Sequence, residues 1–153
     1  FFKKSSQGIY MRSVADNQPE GARQLGGTVT VSNSIAWGNT LSDLTGTVSA
    51  AYSCVGSGIA TGVNGNIGVD PLFVDRIYYH LQSRGGHYVG GYFSGGTWSA
   101  GASNSPCLDA GDPLAPFLEE PAPRGGRANM GAYGNTAVAS KTPANAGTVF
   151  TIY

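Results

Sequence analysis

Apolar residues along this chain come in short groups separated by Gly, Pro, Asn and Asp. The clearest group is 28–37 (TVTVSNSIAW), in which Val29, Val31, Asn33 and Ile35 share one face. A period of two is typical of a strand with one buried face, and no segment has the period of an amphipathic helix. Asn33 either stacks inside the fold or marks a turn, and the pattern leaves both open. The pattern predicts an all-β fold with many turns.

Short apolar segments also form a loose internal repeat. They recur at intervals of roughly 19 to 27 residues, with matching positions at Ile9, Ile35, Cys54, Leu81, Cys107 and Met130. These intervals suit one turn of a solenoid and are too short for propeller blades. Stacked coils about 4.8 Å apart would place the matching side chains in one interior column. The repeat predicts a β-solenoid of about five to six coils.

Two glycine-rich strings dominate the C-terminal third. Residues 105–113 read SPCLDAGDP, and 124–136 read RGGRANMGAYGNT. In the first string a small apolar core is followed by residues that favour sharp turns. In the second, apolar residues are interleaved with glycine, which suits a short strand where another backbone passes closely. Each string predicts a short strand that ends in a corner.

With these strings the chain resembles the C-terminal end of right-handed parallel β-helix (pectate-lyase-like) domains of large secreted bacterial proteins. Such ends carry strings similar to SPCxDAGDP and GGRxNMGAYGN, and further matches lie at 33–39 (NSIAWGN), 66–75 (NIGVDPLFVD) and 79–83 (YHLQS). The resemblance covers 8–141. It implies a right-handed parallel β-helix, a C-terminal cap at 105–136 and an extracellular or cell-surface location. It does not imply an activity, since one fold serves many functions.

The ends of the chain predict self-association. We expect 1–141 to form one β-helical domain and 142–153 to form a linker with a detached strand at 148–153 (TVFTIY). No cap is evident at the start, and an open edge invites a strand from another copy. A head-to-tail contact that does not close produces a filament. Alternatively, the chain continues a longer β-helix. The interface candidates are Phe1, Phe2, Ile9, Tyr10, Val149, Phe150, Ile152 and Tyr153.

Charge and cysteine content narrow the partners. Nine basic and nine acidic residues cancel, so the chain lacks the positive field that nucleic acid would need. No apolar run approaches the roughly 20 residues of a membrane span. The glycine-rich loop 56–68 lacks the lysine of a phosphate-binding loop, and no cofactor is predicted. Cys54 and Cys107 are either two buried thiols or a disulfide; their separation by two coils favours free thiols.

Candidate catalytic and metal-binding residues are sparse. The carboxylates either bind calcium or cap turns and pair with Arg124 or Arg127, and we expect turn capping; they are Asp70, Asp75, Asp109 and Asp112. His80 and His87 have no carboxylate at a telling spacing, so neither is predicted to be a catalytic base. In the polysaccharide lyases that the chain resembles, the catalytic residues lie on strands in the middle of the β-helix, where this chain is nearly uncharged. We predict no catalytic residue and no metal site.

An aromatic-rich segment spans 85–101. Its rings either stack on sugars or fold over the side of the domain and cover its core; they are Tyr88, Tyr92, Phe93 and Trp98. The sequence therefore predicts a non-catalytic extracellular structural or adhesive module, assembled end to end into a filament. The alternatives are a C-terminal piece of a polysaccharide lyase or glycoside hydrolase, and a carbohydrate-binding module that uses this segment.

Overall fold

The structure, a computed structural model, describes residues 29–39, 42–45, 47–59 and 61–144. Its regular elements are short strands, namely β1 (Val29–Ser32), β2 (Ile35–Ala36), β3 (Val48–Ala51), β4 (Cys54–Val55), β5 (His87–Val89) and β6 (Thr97–Ser99). They form three two-stranded sheets: β1 with β3 and β2 with β4 are parallel, and β5 with β6 is antiparallel. The described ranges contain no helix of the length and apolarity that a membrane crossing requires.

Two bent segments stack in register near the start of the described chain. Val29 lies opposite Val48 and Ile35 lies opposite Cys54. Between the strands of each segment the chain turns at a residue with positive φ, Asn33 at 50° and Tyr52 at 47°. Asn33 therefore marks a turn, which resolves the choice that its position in the alternating pattern left open. The turn also divides the continuous strand expected over 28–37 into β1 and β2.

The predicted solenoid of five to six coils is wrong for the described residues. Parallel pairing ends at a single bridge between Cys54 and Ile67, and the next regular pair, β5 with β6, is antiparallel. Later segments are joined by isolated backbone hydrogen bonds, such as Ser105 N–H to Gln82 O at 2.9 Å. Prolines without N–H donors and turns at positive φ interrupt pairing there. No stack of continuous parallel strands, and hence no solenoid, forms in this part of the chain.

The strands predicted in the motif regions are also absent. Residues 105–136 form turns and bends without a strand. The segments 70–75 (DPLFVD) and 77–81 (IYYHL) also have the composition of strands, but they form only one antiparallel bridge, between Phe73 and Leu81. Leu72 and Tyr79 both have positive φ, so the backbone turns where extended strands were expected. High β propensity in these short segments is overridden by turn geometry.

Most of the repeat positions nevertheless meet in one apolar group, the central cluster. Its buried members are Cys54, Leu81, Cys107 and Met130, and Ile35 packs against them. The four buried members are 0–5% exposed, and Ile35 is partly buried. Only Ile35 and Cys54 are strand partners, so the cluster is assembled largely from turns. The repeat correctly identified core positions but not the backbone that carries them. Ile9, the first repeat position, lies outside the described residues.

The predicted self-association surface cannot be placed. All of its candidate residues, Phe1, Phe2, Ile9, Tyr10, Val149, Phe150, Ile152 and Tyr153, lie outside the described residues. The domain boundaries at 141 and 142 and the role of 105–136 as a cap stay predictions of the sequence.

Candidate functional site

The aromatic-rich segment 85–101 is built on the antiparallel hairpin of β5 and β6. Tyr88 lies opposite Trp98, and His87 lies opposite Ser99. The hairpin is attached to the body of the fold at its base, where Gly101 N–H donates to Ser83 O at 2.8 Å. Near its tip, Gly96 N–H donates to the Tyr88 hydroxyl at 2.9 Å. The short strands thus hold Tyr88 and Trp98 side by side on the hairpin.

These rings continue a row that reaches into the C-terminal region. The aromatic row consists of Trp98, Tyr88, His80, Tyr133 and Phe93, in that order of contact. Its central pair is stacked, with the His80 and Tyr133 ring centroids 3.7 Å apart and the planes at 16°. The remaining contacts are tilted or edge-on, the geometry that aromatic pairs prefer. Contact along the row fixes both ends, Trp98 and Phe93, relative to each other.

The structure divides the four predicted glycan-contact residues into two roles. Tyr88 is only 8% exposed and covers the core, as one of the two sequence-based interpretations expected. Tyr92, Phe93 and Trp98 are 41%, 56% and 41% exposed; we call these three residues the aromatic surface. Tyr92 is supported edge-on by Tyr78 at 4.9 Å. Coverage of the core is confirmed for Tyr88, and the exposure of the other three rings leaves sugar stacking there a prediction.

Lys141 lies over one ring of the aromatic surface. Its Nζ is 4.5 Å from the centroid of Trp98. Its backbone N–H donates to Gly86 O at 2.8 Å, which ties the chain after 140 to the base of the hairpin. Segment 85–101 itself contains no Asp, Glu, Lys or Arg. The segment that carries the aromatic surface thus has no charged residue of its own, and Lys141 places a cation over its Trp98 ring.

Both histidines near the hairpin are buried structural groups. His80 Nε2 lies 2.9 Å from Gly91 O and 3.1 Å from Tyr92 O. Since both partners are carbonyl oxygens, Nε2 carries the proton and donates. His87 Nδ1 accepts from Ser83 N–H at 3.2 Å. Burial lowers the pKa of each imidazole below its ordinary value, so both are neutral near pH 7.

The aspartates that could suggest calcium are engaged with backbone amides. Asp70 accepts from Leu72 N–H, and Asp75 accepts from Ile77 and Tyr78 N–H. Asp112 acts in the same way on Leu114 N–H. Turn capping, the interpretation that we favoured from the sequence, is confirmed for these three carboxylates. Asp109 instead joins distant segments, because it accepts from Gly125 N–H and from the Thr142 hydroxyl. The described residues contain no group of three or more His, Cys, Asp or Glu that could hold a metal ion.

The expected pairing of these carboxylates with arginines is not found. Arg127 instead donates to Gly111 O at 2.6 Å and Ala110 O at 2.9 Å, and its guanidinium lies 5.4 Å from the Tyr52 ring centroid. Arg124 donates to the backbone carbonyl of Glu120 at 3.2 Å. The arginines therefore satisfy carbonyls that the irregular chain leaves without ladder partners.

A buried carboxylate joins turns in the C-terminal region. The Glu120 carboxylate is 2% exposed and accepts from Asn129 N–H at 2.8 Å and Asn135 N–H at 2.9 Å. Burial raises its pKa.

Cys54 and Cys107 are free thiols. Their side chains meet, although the coil spacing placed them apart. The hydrogen bond with Cys54, followed by burial, raises the pKa of Cys107, so this thiol stays protonated.

Sequence reasoning missed three residues that support the aromatic surface: His80, Tyr133 and Lys141. Tyr133 belongs to the string RGGRANMGAYGNT, but its contact with His80 joins positions that are 53 residues apart in the sequence. No periodic signal links such distant rings. The available hint was a buried-type histidine between aromatic and apolar residues, at 78–81 (YYHL).

Comparison of the chain with protein-family models, with curated proteins and with solved structures found no match.

Proposed function

We propose that this chain is a non-catalytic, extracellular structural or adhesive module that binds polysaccharide through the aromatic surface of Tyr92, Phe93 and Trp98. The observation that carries the proposal is the substantial exposure of three rings on one uncharged segment. Large aromatic side chains normally bury most of their area. Rings that stay exposed while neighbouring rings hold them in place suit a ligand with flat apolar faces.

Sugar rings present such faces, and aromatic side chains combine apolar area with polar groups at their edges. Binding to these rings would lose less side-chain entropy than binding to free rings, because Phe93 is already held by Tyr133 and Trp98 by Tyr88. The low charge of the segment favours neutral or weakly charged sugars over strongly anionic partners. The extracellular setting rests on the family resemblance.

The non-catalytic part of the proposal is supported by the state of the polar side chains. The four aspartates accept hydrogen bonds from backbone amides, and His80 and His87 are buried with lowered pKa values. A general acid or base must reach the proton that it transfers. In the described ranges, these side chains already make hydrogen bonds within the fold. Filament formation through 148–153 stays a prediction because those residues lie outside the described ranges.

Binding of the intact chain to a glycan array and to insoluble polysaccharides tests the proposal. Trp98→Ala and Phe93→Ala are each expected to weaken binding about tenfold, the loss of one stacking contact. Leu114→Ala is the matched control, because Leu114 is 93% exposed and lies outside the segment; its binding should equal that of the wild type.

Three outcomes would contradict the proposal. Absence of binding by the folded wild type across the array would remove the glycan function. Equal weakening by Leu114→Ala would show that the aromatic surface has no special role. Shortening of a bound polysaccharide during incubation would contradict the non-catalytic part and favour the enzyme fragment instead.

A further inference from the structure

His80 occupies the junction between the body of the fold and the tip of the hairpin. It is fully buried, and its Nε2–H is shared between the carbonyls of Gly91 and Tyr92. Tyr92 belongs to the aromatic surface, and Phe93 follows it directly. His80 therefore holds the tip of the hairpin by side-chain hydrogen bonds, in addition to the backbone bonds at the hairpin base.

The other ring nitrogen of His80, Nδ1, makes no such contact. Among the described residues, His80 Nδ1 is the buried side-chain nitrogen or oxygen without a hydrogen-bond partner. A neutral imidazole leaves a lone pair there at a moderate cost. A protonated imidazole would place an N–H and a positive charge at the same position, and a buried unpaired charge costs far more than an unpaired lone pair.

The groups that face His80 offer little compensation for such a charge. One ring face stacks on Tyr133, and Tyr88 contacts the ring edge-on. The Tyr133 hydroxyl is already used, since it donates to Tyr78 O at 2.6 Å. The charge of Asp75 favours protonation of His80, and a positive charge on His87 would oppose it. The Asp75 carboxylate is itself engaged with two backbone amides.

We infer that His80 is a proton-operated latch for the aromatic surface: the neutral ring holds the hairpin tip at Gly91 and Tyr92, and protonation at Nδ1 releases it. Release lets the charged ring reach water. It withdraws His80 from its stack on Tyr133, and so frees the Phe93 end of the aromatic row. This inference concerns the position of the aromatic surface and holds whether or not that surface binds a glycan.

The direction of the pH dependence follows from the burial of the ring. Burial lowers the pKa of His80 in the folded protein below the ordinary value of 6.5. The closed hairpin therefore binds the proton less tightly than the open one. The latch is at full strength above pH 6.5 and weakens as the pH falls from there toward the lowered pKa. Acidification favours the open hairpin.

Amide hydrogen exchange and NMR titration of the intact chain test the latch. The reporter is the Gly96 amide, which donates to Tyr88 at the hairpin tip, and the reference is the Val55 amide, which donates to Ile67 O at 2.9 Å beside the central cluster. After correction for intrinsic exchange, protection of Gly96 should fall at least about tenfold between pH values of about 7 and 5, with Val55 unchanged.

Two variants assign the effect to one histidine. His80→Gln keeps an N–H donor at the position of Nε2 but does not titrate, so protection of Gly96 should become independent of pH. His87→Asn keeps an acceptor for Ser83 N–H, which His87 Nδ1 accepts in the wild type, and should retain the wild-type pH dependence. Trp98, opposite Tyr88 on β6, gives a second readout through its fluorescence in a Trp37→Phe background.

Several results would overturn the latch. They are unchanged Gly96 protection on acidification, a parallel loss at Val55, persistence of the pH dependence in His80→Gln, and its disappearance in His87→Asn. If His80→Gln does not fold, the wild type still decides: the midpoint of the His80 ring titration must coincide with that of the hairpin transition, and separate midpoints contradict the inference. None of these readouts uses a glycan, so failure of the latch is distinguishable from failure of glycan binding.

Discussion

The central cluster and the aromatic row are two differently built interiors. Residues such as Cys54 and Met130 in the central cluster are at most 5% exposed, and the cluster contains no charged group. The aromatic row contains a titratable ring, His80, and ends at two exposed side chains, Phe93 and Trp98. The first is expected to resist changes of pH and the second to respond to them. A strand-poor fold can thus place a rigid core beside an adjustable surface.

The largest effect is expected from truncating the central cluster. Met130 is 2% exposed and lies in the same cluster as the buried thiols, so Met130→Ala should lower the free energy of unfolding by about 2–5 kcal/mol. Denaturant unfolding monitored by fluorescence measures the change. Val63→Ala is the control, because Val63 is 52% exposed and its loss should cost less than about 0.5 kcal/mol. Equal effects of the two variants would contradict the cluster.

A smaller effect is expected at the buried carboxylate that joins the C-terminal turns. Glu120→Ala would leave the Asn129 and Asn135 amides without their acceptor, at a cost of about 1–3 kcal/mol. Glu120→Gln should lose less, because its carboxamide oxygen still accepts. Chemical unfolding at neutral pH compares the two. A Gln variant as unstable as the Ala variant would show that charge, and not the acceptor oxygen, is what matters there.

The smallest effect is expected within the aromatic row. Tyr133→Phe removes the hydrogen bond to Tyr78 O and should cost about 1 kcal/mol while keeping the stack on His80. Burial raises the pKa of Tyr133 to about 12. The folded state therefore favours the protonated hydroxyl, and this contribution is lost as the pH rises from about 10 through about 12. The stability gap between wild type and variant, followed by thermal unfolding at rising pH, should narrow. A stability difference that does not change with pH would contradict the burial of the Tyr133 hydroxyl.

The core could be predicted better than the backbone that carries it. The spacing of Ile35, Cys54, Leu81, Cys107 and Met130 identified residues that share one cluster, because burial depends mainly on side-chain hydrophobicity. The solenoid drawn from the same spacing was wrong, because pairing also needs consecutive N–H donors and extended φ values. Prolines, and positive φ at residues such as Leu72 and Asp109, remove both.

The candidate site was predicted in part. Tyr88, Tyr92, Phe93 and Trp98 could be identified because they crowd into one uncharged segment. Composition could not separate the buried ring from the exposed ones, since that depends on which side of the hairpin faces the body. The supporting roles of His80 and Lys141 depend on contacts between distant parts of the chain.

The sequence by itself determined the apolar positions of the core, the turn capping by Asp70, Asp75 and Asp112, and the aromatic content of 85–101, because these follow from side-chain chemistry and local turn preferences. The tertiary structure alone decided that the side chains of Cys54 and Cys107 meet. It also decided that pairing stops short of a solenoid, and that His80 sits unsatisfied at Nδ1 beneath the hairpin tip. These features depend on long-range packing, in which each contact is fixed by the placement of all the others.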